Sequence, residues 1–542
     1  MEITGAQALV KSLLAENVDT IFGYPGAAIC PFYDALLDSG IKHILTRHEQ
    51  GAAHAASGYA RATGKVGVCV STSGPGATNL ITGIATAYMD SIPLVAITGQ
   101  VSTELIGRDV FQEVDITGAT LPFCKHSYLV KDANLIPRIV KEAFYIASTG
   151  RPGPVLLDVP VDIQNAKVKY NYPEHIDIRG YKPTLKGHIN QIKKAAEAFM
   201  QARRPVIVAG GGVITANAHW ELQKLAETCD IPVATTLMGI GSMVSTHPLN
   251  LGMVGTHGSY IANYAVNHAD LLVILGARVG DRAMGAAHNI AKRAKIIHID
   301  VDPAEIGKNI GTSIPIVGDA KNILSAMVET VEPKSNKEWR DKLEQLKAER
   351  GPKYTMQEVS EYVQPKYLLE ELSNVLDEKT VVTTEVGQNQ IWAANFLKVK
   401  YPRTFITSGG LGTMGYGLPA AVGVSIGRPD ACVINISGDG SFQMSMQELG
   451  TIRQHDLNVK IVLFNNYRLG MVRELQKQKY RGRYYQVELD KNPDFVQLAE
   501  AYGFAAERIT SNHEVREALK RMRDHIGPYL LECRVHPEES TL

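Results

Sequence analysis

Runs of apolar, β-branched residues alternate with helical stretches along nearly the whole chain. In the first third, Val66–Val70, Pro93–Gly99 and Pro154–Pro160 are almost continuously apolar, which predicts strands buried on both faces. This alternation is typical of parallel sheets covered by helices, so an α/β fold is predicted. The later strands are predicted at Arg204–Val213, Asp270–Asp281, Lys295–Gly307, Thr380–Gly387, Cys432–Gly440 and Val459–Asn466.

Two polar stretches interrupt the alternation. Lys167–Gly187 is rich in Tyr and Lys and predicts a linker, and Glu332–Tyr354 is highly charged and is interpreted as a solvated helix plus a linker. A chain of 542 residues is too long for one hydrophobic core. We therefore predict three doubly wound parallel-sheet domains, at residues 1–168, 188–332 and 362–542.

Composition and charge argue against several classes of function. Lys plus Arg and Asp plus Glu each total 56, so no net charge favours binding to nucleic acid or to a membrane. No apolar run approaches the roughly 20 residues of a membrane span, and the first residues do not resemble a signal peptide. The six cysteines are scattered without a CxxC pair, which argues against zinc and disulfides. A cytoplasmic protein is expected.

The strongest chemical signal is Gly438-Asp439-Gly440, followed farther along by Asn465-Asn466. Each motif comes directly after an apolar strand, and the carboxyl ends of parallel strands meet at one edge, so Asp439 and Asn466 are expected to lie together. Glycines let the backbone approach a phosphate, and carboxylate and amide oxygens suit Mg²⁺. An isolated GDG could be a plain turn, but the matched strands favour a site. The segment resembles the metal and diphosphate motif of thiamine-diphosphate enzymes.

Thiamine diphosphate needs a carboxylate beside its aminopyrimidine ring to promote loss of the proton from its thiazolium carbon. Glu49 stands where a predicted strand ends and a helix rich in Ala and Gly begins. A lone glutamate there could be an ordinary helix-start residue, but together with Asp439 the catalytic interpretation is preferred. In enzymes of this class the glutamate faces the diphosphate-binding domain of another subunit. A homodimer is therefore the smallest expected active unit, and a homotetramer is also consistent with this arrangement.

Further segments resemble the catalytic large subunit of acetohydroxyacid (acetolactate) synthase across essentially the whole chain. The matching segments are Phe22–Leu36, Ser71–Asn79, Gly107–Glu113, Leu251–Val266, Gly276–Arg282, His298–Asn309 and Ser408–Ala421. The three that lie between residues 251 and 309 are the more specific, because simpler thiamine-dependent decarboxylases lack them. The resemblance implies a pyrimidine-binding domain, a central FAD-type domain and a diphosphate- and metal-binding domain. It implies thiamine diphosphate, Mg²⁺ and FAD as cofactors.

The resemblance also implies roles for individual residues. Gln112 is expected beside the reactive carbon of the cofactor, Met414 is expected to hold the cofactor bent, and the Arg468 carbonyl would complete the metal shell of Asp439 and Asn466. The full set expected at thiamine diphosphate is Gly26, Gly387, Gln388, Asn389, Gly412, Met414, Gly438, Gly440, Ser441, Leu469, Gly470 and Met471.

The residues expected at FAD are Arg151, Gly211, Gly212, His257, Gly276, Arg278, Asp300 and Asp319. Residue-level support for FAD is weaker, because Gly210-Gly211-Gly212 is glycine-rich but does not match GxGxxG. A central domain that binds no cofactor is the alternative.

Arg282 is expected to hold the carboxylate of the second 2-keto acid, because a guanidinium can bind it through two parallel hydrogen bonds. It could instead pair with Asp281. Phe111 and Leu475 are also expected at the substrate. Leu475 stands where the family usually has Trp, which widens the pocket. One methylene is discriminated by only about 1–3 kcal/mol, so a preference for 2-ketobutyrate over pyruvate is in doubt.

Other departures from the family lie near this pocket. Val161 stands where the family commonly has Lys, and Thr256 where it has Met. The sequence also stops at EESTL, earlier than the usual tail of the family, so a reduced closing lid is expected.

The predicted function is acetohydroxyacid synthase, which decarboxylates pyruvate and joins the two-carbon unit to pyruvate or 2-ketobutyrate in branched-chain amino acid biosynthesis. The alternatives are an FAD-free catabolic acetolactate synthase and a paralogue with another acceptor. Glyoxylate carboligase lacks the activating glutamate, pyruvate decarboxylase has a His-His pair absent here, and pyruvate oxidase differs around His257 and Arg282. A non-catalytic binding protein should show damage at the catalytic positions, which are all intact. A separate regulatory small subunit is the protein partner to consider.

Overall fold

The computed structural model describes residues 2–285, 290, 292–351 and 360–541. The described strands form three parallel six-stranded sheets with hydrophobic cores on both faces, which confirms the predicted α/β class. The three domain boundaries stay predictions. Among the described helices, none combines the length and the apolar character needed to cross a membrane.

The first sheet has the strand order β3-β2-β4-β5-β7-β6, and a short antiparallel pair, β1 with β8, lies outside it. The strands are β1 (Glu2–Thr4), β2 (Thr20–Gly23), β3 (Lys42–Leu45), β4 (Gly67–Ser71), β5 (Leu94–Gln100), β6 (His126–Leu129), β7 (Pro154–Pro160) and β8 (Lys167–Lys169). The helices are α1 (Gly5–Ala15), α2 (Cys30–Leu37), α3 (Glu49–Thr63), α4 (Pro75–Asn79), α5 (Ile81–Asp90), α6 (Ile116–Thr120), α7 (Ile136–Ser148) and α8 (Val161–Asn165).

The second sheet has the order β11-β10-β9-β12-β13-β14. Its strands are β9 (Pro205–Ala209), β10 (Val233–Thr235), β11 (Asn250–Met253), β12 (Leu271–Leu275), β13 (Lys295–Asp300) and β14 (Ile314–Val317). The helices are α9 (Ile189–Gln201), α10 (Gly211–Thr215), α11 (His219–Thr228), α12 (Tyr260–His268), α13 (Asp281–Met284), α14 (Ala320–Thr330) and α15 (Lys337–Arg350).

Helix α15 lies in the charged stretch Glu332–Tyr354, whose composition predicted a solvated helix plus a linker. This interpretation was wrong for one face of the helix. Trp339, Leu343 and Leu346 are buried, and the helix packs against α12. These three residues recur at helical spacing among the charged residues, which occupy the other face. Residues 352–354 of the predicted linker lie outside the described residues.

The third sheet has the order β16-β15-β17-β18-β20-β19. Its strands are β15 (Thr380–Thr384), β16 (Phe405–Ile406), β17 (Cys432–Gly438), β18 (Val459–Asn465), β19 (Ala505–Ile509) and β20 (Tyr529–Arg534). The helices are α16 (Pro365–Val375), α17 (Gln388–Phe396), α18 (Gly417–Gly427), α19 (Asp439–Phe442), α20 (Leu449–Gln454), α21 (Gly470–Lys479), α22 (Phe495–Ala501) and α23 (Val515–Asp524).

The first and third sheets share one hydrophobic core, in which α3 packs against α18. The two backbones approach very closely. A Cβ atom on Gly423 would overlap the carbonyl oxygen of Ala55, and one on Gly58 would overlap that of Ala420. Both obstacles are backbone atoms, which cannot move aside as a side chain can. Glycine is therefore required at both positions.

We expect Gly423→Ala to lower the free energy of unfolding by at least about 3 kcal/mol, the upper end of the usual cost of overpacking. The measurement is the midpoint of guanidinium-induced unfolding. Gly311→Ala is the matched control, since a Cβ there would meet no atom within 4 Å. Equal midpoints for the two variants would show that the helix contact tolerates a methyl group.

Candidate active site

In each sheet the direction of winding reverses between two neighbouring strands: β2 and β4 in the first, β9 and β12 in the second, and β15 and β17 in the third. Parallel sheets bind ligands outside the carboxyl ends of strands at such points. When the strands are counted along the chain within each sheet, the first and third sheets have the same strand order. The second sheet has an order found in dinucleotide-binding sheets. Most of the sequence-predicted site residues follow strands at or beside these three points.

Asp439 and Asn466 follow two strands that pair directly in the third sheet. Asp439 begins α19 at the end of β17, and Asn466 comes directly after β18. The Asn492 amide donates to Asp439 Oδ2 at 2.8 Å and to Asn465 Oδ1 at 3.3 Å, which links the two strand ends. Asp439, Asn466 and the carbonyl group of Arg468 are called the metal half-site below.

The Asp439 carboxylate is almost fully buried, with 1% of the residue exposed. Burial raises its pKa to about 7, opposed by hydrogen bonds from Asn492 and from the N–H groups of Gly440 and Tyr467. These donors are neutral, so a divalent cation would stabilise the charged carboxylate. Carboxylate, amide and carbonyl oxygens are the ligands that Mg²⁺ prefers, so the residues of the metal half-site fit this ion.

Helix α17 begins beside the metal half-site and carries the residues expected at the diphosphate. Gly387 precedes it with a φ of 147°, a conformation that favours glycine. Gln388 Oε1 accepts a hydrogen bond from Asn466 Nδ2 at 2.9 Å, and a Cβ on Gly470 would overlap this amide oxygen. The Asn389 amide donates to two backbone carbonyl groups of the sheet, each at 3.0 Å. The start of this helix is therefore fixed to the metal half-site.

Other residues expected at the cofactor lie in the turns around Asp439. Ser441 Oγ donates to the Gly438 carbonyl at 3.3 Å, and a Cβ on Gly440 would lie 2.6 Å from the Leu469 side chain. Met471 is half-buried in the first turn of α21. The turns after β17 and β18 therefore pack against each other.

Gly412 and Met414 lie in the loop between β16 and α18. A fully buried carboxylate, Glu385, anchors the end of this loop by accepting from Gly415 N at 2.7 Å and from Leu418 N at 2.9 Å. Burial raises the pKa of Glu385 to about 7, and these backbone hydrogen bonds oppose the rise. The loop is thus attached to the end of β15.

Glu49 is the first residue of α3, as the sequence predicts for the end of a strand. His48 caps the helix by accepting from Gln50 N. Glu49 Oε2 accepts from the Asn79 amide at 3.0 Å, and a Cβ on Gly76 would lie 3.3 Å from Glu49 Oε1. The segment after β4 therefore contacts both oxygens of the carboxylate, one through the Asn79 amide and the other through a glycine that leaves space beside it.

The same loop meets Gln112. A Cβ on Gly74 would lie 2.8 Å from the Gln112 Cβ, and Gln112 itself has a φ of 58°, which is uncommon outside glycine. Gly26, after β2, packs against Thr72 with a hypothetical Cβ distance of 2.5 Å. Phe111 is 86% exposed. Glu49 and Gln112, with the loop of residues 73–76, are called the glutamate half-site below.

A buried carboxylate from the third domain holds the start of α3. Glu448 is fully buried and accepts twice from Arg47 N, at 3.1 and 3.2 Å, and from Thr451 Oγ1 at 2.6 Å. Burial raises the pKa of Glu448 to about 7, opposed by the hydroxyl of Thr451 and by the N–H groups of Arg47 and His48. The position of Glu49 therefore depends on a contact between domains of the same chain.

The three residues expected at the substrate are all exposed in a single chain. Leu475 is 42% exposed, and the Arg282 side chain is 80% exposed and 3.8 Å from Asp281. An exposed pair at that distance contributes little, so Arg282 stays available to a ligand. His257 responds to charges from two segments of this region. Burial is the largest effect and lowers the pKa of His257, the charge of Arg282 also lowers this pKa, and the charge of Glu474 raises it. His257 therefore lies within reach of the charges of both Arg282 and Glu474, the latter on α21.

In the second domain, the turns after β9 and β12 pack against each other. Gly212 N donates to the Gly276 carbonyl at 3.0 Å, and a Cβ on Gly212 would lie 2.8 Å from Gly276 Cα, so this packing alone accounts for both glycines. Gly211 has more room. Asp300 ends β13 and burial raises its pKa to about 6, and Asp319 follows the neighbouring strand β14 and caps α14.

Two expected FAD residues lie between the first and second domains. Arg151 donates to Ser91 Oγ at 2.8 Å and pairs with Glu305 at 3.0 Å. Arg278 donates to the Met89 carbonyl at 2.6 Å. Both arginines therefore have protein partners at the boundary between the first two sheets.

The comparisons with known proteins match this arrangement. Three family models for thiamine pyrophosphate enzymes match the chain: the N-terminal TPP binding domain at residues 3–119, the central domain at 192–327 and the C-terminal TPP binding domain at 385–533. The probable acetolactate synthase large subunit of Methanocaldococcus jannaschii is 52% identical over 99% of this chain and 92% of its own length. The acetolactate synthase large subunit of Corynebacterium glutamicum is 48% identical over 96% of this chain and 85% of its own length.

The acetolactate synthase isozyme 3 large subunit of Escherichia coli is 46% identical over 96% of this chain and 93% of its own length. The chain belongs to the acetolactate synthase large-subunit family. Thiamine pyrophosphate is thiamine diphosphate, and the two TPP binding domains of the family are the ones that carry Glu49 and Asp439. The predicted family and the predicted thiamine cofactor are confirmed.

Sequence reasoning missed four polar residues that hold the site of this family member together. Asn492 links the two strand ends, Glu448 holds Arg47 before α3, Glu385 anchors the loop before α18, and Glu474 accepts from Gln388. Each acts on residues far away in the chain or through backbone groups, which no local pattern encodes. Glu385 lies within the predicted strand Thr380–Gly387, a signal of burial that could have identified it, whereas Glu448 has no such signal.

We expect Asp439→Asn to abolish stabilisation by Mg²⁺. The raised pKa means that native Asp439 keeps its proton where an unfolded aspartate, with a pKa of about 3.9, has lost it. The metal-free protein therefore loses stability as pH rises from about 4 to about 7. A divalent cation offsets this loss, so MgCl₂ should raise the melting temperature more at pH 8 than at pH 5.5.

The measurement is thermal unfolding at both pH values with and without MgCl₂. Asp524→Asn, an exposed aspartate of the same domain, is the matched control and should respond as the parent does. An equal Mg²⁺ response in Asp439→Asn would contradict the metal half-site.

Proposed function

We propose that this protein is the catalytic subunit of an acetohydroxyacid synthase. It decarboxylates pyruvate and joins the two-carbon unit to a second 2-keto acid, which gives 2-acetolactate from pyruvate or 2-aceto-2-hydroxybutyrate from 2-ketobutyrate. This is the first step of branched-chain amino acid biosynthesis. The observation that carries the proposal is that one chain of this family holds both half-sites together with an exposed cation, Arg282.

When bound, thiamine diphosphate supplies the carbon that attacks the keto group and takes up the electron pair left by CO₂. The chain's own groups bind and orient. Asp439, Asn466 and the Arg468 carbonyl would hold Mg²⁺, which neutralises the diphosphate. Glu49, kept in place by Asn79, would exchange a proton with the aminopyrimidine ring of the bound cofactor.

The remaining groups act on the substrates. The Gln112 amide, fixed beside Gly74, orients the two-carbon unit. Arg282 binds the carboxylate of the second 2-keto acid and so aims its keto carbon at the cofactor. Phe111 and Leu475 form apolar walls that exclude water.

A second copy of the chain would cover the exposed apolar residues around the half-sites. Phe111 is 86% exposed, Leu121 70% and Met444 56%. Large apolar side chains with this much exposed area favour a surface that another protein chain covers. We propose a homodimer, or a homotetramer built from it, in which the two half-sites of one active site come from different chains. Because the relatives are large subunits, a separate small subunit is a further proposed partner.

FAD is the third proposed cofactor. The strand order of the second sheet, its turns after β9 and β12, and the buried Asp300 carboxyl at the end of β13 fit a dinucleotide. Arg278 and Arg151 beside these turns fit its phosphates. Bound flavin would also separate this proposal from the alternative of an FAD-free catabolic acetolactate synthase.

Product analysis tests the proposal directly. The purified protein with thiamine diphosphate, Mg²⁺ and FAD is supplied with pyruvate alone, and then with equimolar pyruvate and 2-ketobutyrate. We expect 2-acetolactate in both reactions, with little 2-aceto-2-hydroxybutyrate in the second because Leu475 leaves a wide pocket. Acetaldehyde or acetate alone, or no turnover, would contradict the synthase and point to a paralogue with another acceptor.

A further inference from the structure

Glu474 lies on α21, one residue before Leu475, and both of its carboxylate oxygens are occupied. Oε1 accepts from Gln388 Nε2 at 2.6 Å and from Thr541 N at 2.9 Å, and Oε2 accepts from Thr541 Oγ1 at 2.8 Å. Thr541 is itself buried. Hydrogen bonds to a charged group are the stronger kind, so this is a firm attachment of α21.

Gln388 continues this connection to the metal half-site. Its Oε1 accepts from Asn466 Nδ2 at 2.9 Å, while its Nε2 donates to Glu474. The hydrogen-bonded path therefore runs from Asn466 through Gln388 and Glu474 to Thr541. It joins the strand edge, the start of α17, the middle of α21 and the last described residue.

The segment His536–Thr541 is fastened across both helices by further contacts. Gln388 Nε2 donates to the Glu539 carbonyl at 2.8 Å, Trp392 Nε1 donates to the Ser540 carbonyl at 3.0 Å, and Arg473 NH1 donates to Glu538 Oε2 at 2.8 Å. This segment therefore lies against α17 and α21 together.

Helix α21 has few other means of keeping its position. None of its residues is buried in the described chain, whereas each other described helix of the third domain has buried residues. Its outer part is held to residues 484–488 by Arg473 and Gln476. The attachment toward the active site is the one made by Glu474.

The short helix that carries Arg282, α13, is linked to α17, the helix whose Gln388 contacts Glu474. Thr256 N donates to the Arg282 carbonyl at 2.9 Å, and Asn395 Nδ2 on α17 donates to the carbonyl of His257, the residue after Thr256, at 2.9 Å. The donors from Gln388 and Thr541 occupy both carboxylate oxygens of Glu474.

We propose that Glu474 is a positioning residue for the acceptor. It fixes α21, with Leu475, against the metal half-site, and Thr541 in turn fixes Glu474, so the segment His536–Thr541 helps to position the acceptor site. This inference rests on the proposed function, and it deepens that function by assigning control of the second 2-keto acid to residues outside the pocket wall.

The test compares Glu474→Ala, Glu474→Gln and Thr541→Val in the full-length holoenzyme. For Glu474→Ala we expect the acceptor KM to rise at least about fivefold, the equivalent of one lost hydrogen bond, with a changed product ratio at equimolar pyruvate and 2-ketobutyrate. Thiamine diphosphate affinity, followed by quenching of intrinsic fluorescence, should change by less than about twofold. Thr541→Val should act in the same direction, because it releases Oε2.

Glu474→Gln keeps one acceptor oxygen and should retain most of the parental KM. Glu500→Ala, an exposed carboxylate on α22, is the matched control and should resemble the parent. A readout without turnover is the rate of tryptic cleavage after Lys477, Lys479 and Arg481, which should increase in Glu474→Ala.

Three outcomes overturn the proposal: a parental KM and product ratio in Glu474→Ala, an equal loss of thiamine diphosphate affinity, or unchanged tryptic cleavage. If the parent protein makes acetolactate and Glu474→Ala behaves as the control, this inference fails alone. If the parent makes no acetolactate, the proposed function itself fails.

Discussion

The close packing of α3 against α18 is the contact on which the arrangement of the site depends. Gly58 and Gly423 allow the two backbones to meet, and the core behind them is shared by the first and third sheets. Glu49 begins one of these helices, and the loop with Met414 leads into the other. A change in the distance between the helices would therefore move the glutamate half-site and the cofactor loop together.

Besides this helix packing, three buried carboxylates contribute to the arrangement of the site. Asp439, Glu385 and Glu448 each have a pKa raised to about 7 by burial, yet they have different partners. Glu385 and Glu448 accept from backbone N–H groups of other segments and hold those segments in place, whereas Asp439 lies where β17 ends, beside the end of β18 and Asn466. Of these three carboxylates, only Asp439 has the environment of a metal ligand. Burying its negative charge costs free energy, and a cation bound there would offset that cost.

The sequence predicts the central strands and the metal edge because both have local signals. Strands such as β5 and β7 are buried on both faces and read as continuous apolar runs, and adjacent parallel strands bring Asp439 and Asn466 to one edge. Strand β20 was missed although it is central, since Glu532 interrupts its apolar run. That carboxylate is satisfied by Asn465 and Arg508, partners that only the folded chain supplies. The Glu474 connection escaped prediction for the same reason.

We propose that Glu49 of one chain and Asp439 of another form each active site in a homodimer. Co-expression of a Glu49→Gln chain and an Asp439→Asn chain with different purification tags isolates the mixed dimer. Each variant alone should be inactive, whereas the mixed dimer contains one intact site and should recover about half of the parental activity. A mixed dimer as inactive as the two variants would contradict the claim, because both residues would then act within one chain.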